Sequence, residues 1–528
     1  MRGSNCQKKP QTIYITSENS MVGDYMRKGV WFVLLVPVSL FLIIPTLPLG
    51  MAITGGGSWH GNALGGYTKL GYAIEGSFDS DNDGLLEFVT TGIQNGTLRI
   101  LLWEYNPSGG GGLSPAPGIG ALWSGVEVVD LAVGDFDGDG LRDDLAVSHP
   151  MFNTGGMSNV GTISLYRGTP TGFVGWGSLT PGITTTPPVP SASANLYWGW
   201  SIDAVGGDDR DYLLVGAPGY TVSNMQVGYA VLYSLEVGGG GALGGHIVWS
   251  ERGWSKGTGT TLYHERHYGA CVRGLGDLNG DGKEDFGVSN IYNVTTKATN
   301  NMASEVHLYY VESKQDLIRG NLQTYTGVET PTYFGSSFDS GDFNGDSYLD
   351  LVVGEPCTTS TQSRVYLYSG TSTGINTGAN PVIISKNVTF PEELTYFGVE
   401  VETIGDENGD NMDDFMVGAP YEIVTIYKPP EHWTYYAAGR VYVYEGYPTL
   451  SEIPNNNNWN LKGEQAYQYL GGSRITGNTF SFTGGKSLCG FLESVSGDQK
   501  DDFAIGSPYW DDEVNSTADV GHVWLYYG

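Results

Sequence analysis

The sequence predicts an all-β fold in which one unit recurs seven times as the blades of a β-propeller, and three observations carry that expectation. Glycine is abundant at 80 residues, aromatics make up 12%, and no long stretch has helical periodicity, a balance that favours short strands and tight turns. An acidic loop feeding a short apolar strand returns along the chain with fixed internal spacing. A tyrosine-rich strand with two different apolar faces follows the best copies.

The loop is clearest from Asp342 to Pro356, DFNGDSYLDLVVGEP. Oxygen-bearing side chains stand at its first, third, fifth and ninth positions: Asp342, Asn344, Asp346 and Asp350. Hard oxygen donors at alternate positions suit Ca²⁺. Four further loops keep the spacing without a gap. They are Asp79, Asp81, Asp83 and Glu87; Asp135, Asp137, Asp139 and Asp143; Asp277, Asn279, Asp281 and Asp285; and Asp406, Asn408, Asp410 and Asp414. One such loop is often only an acidic surface turn, but five in register point to a metal. An EF-hand would need a bidentate Glu at the twelfth position, where these loops carry Thr90, Ala146, Val288, Val353 and Val417. Two more copies keep the surroundings and lose the loop. Trp198-Gly199 leads through Asp208 and Asp211 to LLVGAP, and Cys489-Gly490 leads through Asp498 and Asp501 to FAIGSP.

Each unit follows one plan from about residue 54: a strand, the acidic loop, an apolar strand ending near Gly-Ala-Pro, a variable loop, and a tyrosine-rich strand. RVYLYSG at 364–370, RVYVYEG at 440–446 and HVWLYYG at 522–528 place Val and Leu on one face and aromatics on the other. The middle strand, as in LVVG or FMVG, is apolar throughout and is expected to be buried on both sides. Units of about 65 residues that bury both faces describe blades around an axis. The last unit ends on its third strand, so residues 54–68 are expected to supply the missing outer strand and close the ring.

FGSSFDSGDFNGDSYLDLVVGEP and FGVEVETIGDENGDNMDDFMVGAP resemble FG-GAP repeats, and seven of them resemble the β-propeller at the head of integrin alpha subunits. The resemblance covers nearly everything after residue 54. It implies a calcium-stabilised binding module rather than an enzyme, although fold alone does not fix activity. The second unit departs from it, having no FG pair and reading SHP for GAP, and the fourth reads SNI. Five loops exceed the four or so usual in that resemblance, so one of them need not hold an ion. Nothing after the seventh unit resembles leg domains or a C-terminal span, so a complete receptor of that kind is not expected.

Residues 1–29 are polar and basic, and residues 30–53 contain an apolar run from Val30 to Leu49. That run is about long enough to cross a bilayer. Its prolines and the small residues after it leave signal peptide and uncleaved anchor both open. Positive charge on its N-terminal side places residues 54–528 outside the cytoplasm, at the cell surface or secreted. Membrane contact is expected only through this segment. Four sequons, at Asn95, Asn293, Asn387 and Asn515, suit a glycoprotein. The formal charge of −31 disfavours nucleic acid as a partner. Cysteine, at four residues, gives no disulfide framework; Cys489 takes the Phe position of its unit and should be a buried thiol.

Catalytic patterns are weak. Gly253 to Gly257 fits GxSxG, yet the nucleophile elbow needs a strand turning into a helix and this segment is a Gly- and Thr-rich loop. His264, Glu265, Arg266 and His267 lack HExxH spacing and read as a solvated turn. Aromatics gather instead in loops that follow the second strand, where Tyr292, Trp433, Tyr436 and Trp510 are the candidates for contact with a ligand. Because the acidic loop joins two antiparallel strands, these loops are expected at the opposite end of the blade. The first reading is a calcium-stabilised adhesion or recognition module for a protein or glycan ligand. Two others stand beside it: a glycan-acting enzyme, marked by turnover lost with one acid pair, and a structural envelope protein, marked by self-assembly without ligand.

Overall fold

The structure is a computed structural model. It describes residues 56–60, 67–79, 87–106, 112–116, 123–124, 130–169, 173–181, 191–223, 225–253, 266–292, 304–313, 316–323, 333–356, 362–387, 395–428, 431–455, 459–465, 467–470, 472, 474–475, 482–483, 486–491, 500–509, 511 and 522–526. The basic N-terminal segment and the apolar run therefore lie outside the described residues. Among those described, no helix is long and apolar enough to cross a membrane.

Seven antiparallel sheets follow one another as blades. Blade one contains Ile74–Phe78, Glu87–Gln94, Thr97–Asn106 and Gly112–Ala116, with the short strands Tyr67–Thr68 and Trp123–Ser124 added to it. Blade two is Leu131–Gly134, Asp144–His149, Thr162–Arg167 and Val174–Leu179; blade three is Ile202–Val205, Tyr212–Ala217, Tyr229–Val237 and Leu243–Arg252. Blade four is Arg266–Gly274, Phe286–Tyr292, Glu305–Ser313 and Asp316–Gln323; blade five is Phe338–Gly341, Asp350–Glu355, Gln362–Tyr368 and Val382–Asn387. Blade six is Val401–Gly405, Asp414–Ala419, Arg440–Tyr444 and Trp459–Lys462. Blade seven takes Leu488–Phe491, Asp502–Ser507 and His522–Tyr526 from one end of the sequence and Gly56–His60 from the other, paired antiparallel from Gly56 opposite Tyr526 to His60 opposite His522. The ring closes as the unit plan requires.

The apolar second strands explain the packing. Successive side chains leave a strand on opposite faces, and here the two faces meet different blades: Leu351 and Val353 join Cys271 and Val306 of blade four, whereas Val352 joins Val401 and Phe415 of blade six. Each pair of adjacent blades has such a core, including the closing pair, where Phe88 and Trp103 meet Ala504 and Val523. A fully buried Val, Leu or Phe contributes roughly 1.5–3 kcal/mol relative to exposure, so the interfaces between blades hold the ring together. Cys489 is buried in the closing core.

The FG and GAP signatures have one shared cause. Gly398 sits at φ +83, in the left-handed region that favours glycine, and its carbonyl lies where a side chain on Gly354 of the preceding blade would start, 1.9 Å from that Cβ position. The closing seam repeats the contact between Gly71 and Gly506, at 2.1 Å. Backbones of neighbouring blades touch there, and a methyl group on the Gly-Ala-Pro glycine would force them apart.

Candidate functional site

The acidic loops stand between the first and second strands, and their carboxylates are held by main-chain donors. In blade five the carboxylate of Asp342 accepts N–H groups from Asp346 (3.0 Å) and Ser347 (2.8 Å), Asn344 Oδ1 accepts from Asp346 (3.0 Å), and Asp346 Oδ1 accepts from Tyr348 (3.0 Å). The loops opened by Asp277 and Asp406 fold the same way, with Asp277 accepting from Gly280, Asp281 and Gly282, and Asp406 from Gly409, Asp410 and Asn411. These bonds curl the chain so that donors at alternate positions face inward.

The ninth residue ties the loop to the next turn. Asp350 accepts from Gly370 (2.7 Å) and Asp414 from Gly446 (2.7 Å), both in the connection from the third strand to the outer one, and Asp285 accepts from Val311 (2.8 Å) near the end of the third strand. Both connections therefore lie at one end of the propeller. Burial pushes these carboxyls up, to about 7 for Asp285 and Asp350 and about 9 for Asp414, and neighbouring loop carboxylates push the same way. A dication at the loop would relieve the cost that raises them.

Blade two departs from the spacing by one residue. Asp144, not Asp143, takes the turn-tying role, accepting from Gly168 at 3.1 Å, and its carboxylate lies within 4.8 Å of those of Asp135 and Asp137. Burial, with Asp137 beside it, raises Asp144 to about 8. Asp143 instead falls at the residue before the second strand, where other blades place an acid that reaches back to the preceding blade. Asp211 accepts the N–H of Asp135 (3.0 Å), Asp413 that of Asp342 (2.7 Å) and Asp501 that of Asp406 (2.7 Å). The two degenerate loops thus keep a carboxylate that fixes their neighbour. Asp143 also lies beside the loop, where burial and then Asp139, Asp137 and Asp135 raise its carboxyl to about 6, so the tandem Asp143-Asp144 offers two candidates for the ninth donor. In blade one Asp79 is half-buried and Glu87 buried, while Asp81 and Asp83 lie outside the described residues.

The opposite end carries the loops after the second strand. In blade six this excursion is a hairpin of Val424–Lys428 and Glu431–Tyr435, with Tyr427 58%, Trp433 49% and Tyr436 60% exposed. The Tyr436 carbonyl accepts the N–H of Tyr467, itself 61% exposed. Beside them runs a row of rings in which Tyr421 and Tyr509, of the aromatic loops after the second strand, are joined by Tyr396 and Tyr469, with successive centroids from Tyr396 through Tyr421 and Tyr469 to Tyr509 at 4.9, 4.9 and 5.6 Å. Tyr396, Tyr467 and Tyr469 hold positive φ, an unusual conformation for so large a residue. Tyr292 ends the second strand of blade four, opposite Arg266, and Trp510 lies outside the described residues.

Of the catalytic patterns, residues 254–257 and 264–265 lie outside the described residues. His267 is not in a solvated turn: it is buried in the first strand of blade four, and burial lowers its pKa to about 4. A cavity of about 430 Å³ lies between blades three and four, lined in part by Asp208, Arg210, Trp249 and Lys283. Its charges are engaged, Lys283 with Asp208 and Arg210 with the Leu235 carbonyl.

The FG-GAP repeat family matches residues 334–368. Integrin alpha-2 of Mus musculus is 26% identical over 242 residues, 44% of this chain and 18% of that protein. Integrin alpha-PS2 of Drosophila melanogaster is 29% identical over 199 residues, 37% of this chain and 13% of that one, and integrin alpha-10 of Homo sapiens is 32% identical over 124 residues, 23% and 10%. The alignments span less than a fifth of these relatives. Repeat match, partial relatives and architecture agree: the chain is a seven-bladed propeller that carries an FG-GAP repeat at residues 334–368 and is similar over part of its length to integrin alpha subunits.

Proposed function

We propose that this chain is a calcium-stabilised recognition module that acts outside the cytoplasm, at the cell surface or secreted, and binds a protein or glycan ligand without chemistry. The observation that carries the reading is the exposed aromatic hairpin of blade six, since large rings held in solvent on a rigid scaffold are costly unless something covers them. The resemblance to integrin alpha subunits supports a binding role at this coarse level.

Calcium belongs to the other end. Asp277, Asn279, Asp281 and Asp285 would hold one ion, Asp342, Asn344, Asp346 and Asp350 a second, and Asp406, Asn408, Asp410 and Asp414 a third. Asp135, Asp137, Asp139 and Asp144 would hold a fourth, and Asp79, Asp81, Asp83 and Glu87 a fifth. The donors fit the ion, being hard oxygens gathered where burial and mutual repulsion already oppose ionisation. Its role there is charge neutralisation of the loops. A protein and glycan array probed with and without calcium tests the reading. Specific binding lost in Trp433→Ala supports it, and binding indifferent to Trp433, Tyr436 and Tyr467 overturns it.

A further inference from the structure

The first strands of the seven blades touch one another in a ring around the axis. Their ladders place one residue of each strand at a common register. Glu75 lies opposite Val89, Asp203 opposite Leu214, Arg273 opposite Gly287, Asp339 opposite Val352 and Glu402 opposite Met416. The other two blades have small residues there, Ala132 opposite Ala146 and Cys489 opposite Ala504. Lys486 and Asp130, from just upstream in those blades, reach the same region. A propeller needs no ionisable residue at this depth, yet with Glu400, one residue before the first strand of blade six, the axis collects eight.

They form a connected chain. Glu402 is the hub: Arg273 donates to its Oε2 and Lys486 approaches its Oε1 at 2.9 Å. Arg273 belongs to blade four and Glu402 to blade six, so this contact passes over blade five. Lys486 also meets Glu75 at 3.0 Å, joining blade seven to blade one at the closing seam, and Arg273 lies 3.8 Å from Asp203 of blade three. Side chains of Glu402 and Lys486 keep 7% and 9% of their surface in contact with solvent. Asp130, Asp203 and Asp339 each accept an N–H of the following blade, from Ile202 (2.9 Å), Gly274 (3.1 Å) and Thr403 (2.8 Å). Glu400 does the same for Ser487 and Leu488.

We propose that this axial cluster is an electrostatic clasp that locks the ring from within and tightens on mild acidification, because its carboxylates outnumber its two cations. Burial pushes Glu75, Asp339 and Glu400 up to about 7 and Asp130 to about 6; Lys486 offsets part of the rise for Glu75, Arg273 and Lys486 for Asp339 and Asp130, and hydrogen bonds from Leu488 and Ser487 for Glu400. Burial opposes the charges of Arg273 and Lys486 as well, but the surrounding carboxylates outweigh it and hold both cations well above their ordinary range. The thiols that face the cluster stay neutral: burial pushes Cys271 up to about 12 and Cys489 well above the usual range. A carboxyl raised in the fold contributes stability that is complete below its unfolded pKa and lost as pH rises through the folded value. The clasp is thus tightest below about pH 4 and loosens as pH rises through 6 and 7.

Unfolding by denaturant at about pH 5 and about pH 8, at fixed calcium, tests the clasp in three proteins. Wild type sets the pH slope. The double variant Glu75→Gln, Asp339→Asn keeps every loop residue, and its loss of stability between the two pH values should be smaller than wild type by at least about tenfold in the unfolding equilibrium. Comparing pH values within one variant cancels any hydrogen bond the amides fail to make. Glu402→Gln deprives two buried cations of their shared partner and should lower stability at both pH values. Equal pH slopes in wild type and the double variant would overturn the acid response, and an unchanged unfolding midpoint in Glu402→Gln would overturn the clasp.

Discussion

The two ends of the propeller are built from the same strands and obey different rules. At one end the first-to-second connections are short, their carboxylates receive main-chain N–H groups at fixed spacing, and their ninth residues bolt them to the neighbouring turns. At the other end the connections range from a tight turn to the blade-six hairpin, which leaves its rings in solvent. The difference teaches where sequence is free to vary: only the second end can change without disturbing a carboxylate cage.

Removing calcium is the strongest way to break the comparison. With dissociation constants of roughly 10⁻⁴–10⁻³ M for modules of this kind, calcium at about ten times that level adds about 1.4 kcal/mol per occupied loop. Melting of dialysed protein before and after millimolar calcium should show a rise of many degrees, and no rise would remove calcium from the fold. Asp350→Ala comes next. It leaves the Gly370 N–H and the Asn344 amide without their acceptor, which costs about 1–3 kcal/mol in a urea titration. Asp346→Ala should cost less, and only with calcium present.

The pH response of the loops separates the ends further. Asp144, Asp350 and Asp414 sit at about 8, 7 and 9 without metal, raised chiefly by burial. Their stabilising contribution is therefore present below pH 4 and lost as pH climbs through 7 to 9 in metal-free protein, and saturating calcium should remove that loss above pH 7. Blade two sharpens the same point at smaller scale. Calorimetry should find one fewer calcium bound in Asp144→Asn and an unchanged count in Asp143→Asn; the reverse would restore the spacing reading. The smallest effect belongs to Trp433→Ala, expected to stay within about 0.5 kcal/mol of wild-type stability while ligand binding falls. Strong destabilisation with binding intact would make the ring part of the core.

Most of the architecture was legible because it is local and repeated. Strand, loop, strand and tyrosine strand recur with their own punctuation, and even the closing strand followed from the missing partner of His522–Tyr526. The curled acidic loops were legible from their spacing, with one ambiguity in blade two. Asp143 and Asp144 differ only in which of them meets the Gly168 N–H, a contact with a turn more than twenty residues away that spacing does not encode. The axial charges were not legible at all. Glu75, Arg273 and Glu402 each look like an ordinary polar residue on a strand, and their meaning lies in partners on other blades, 411 residues apart for Glu75 and Lys486, brought together by the ring. The tyrosine row escaped for a related reason, being assembled from the loops of two blades, six and seven.

The pairing of Gly56–His60 with His522–Tyr526 sets a timetable for folding. The outer strand of the last blade leaves the ribosome early, and the strand it joins is made more than four hundred residues later. At synthesis rates of about 5–20 residues per second the wait lasts roughly half a minute or longer. Through that interval the early strand has no sheet to join, and an unpaired strand invites association with other chains. Six blades can assemble in order as they emerge, each on the last, but the seventh closes only once His522–Tyr526 has emerged. Slow closure is thus written into the order of the strands, and a circular permutant that opens the ring between blades, with all four strands of blade seven contiguous, should refold faster and aggregate less.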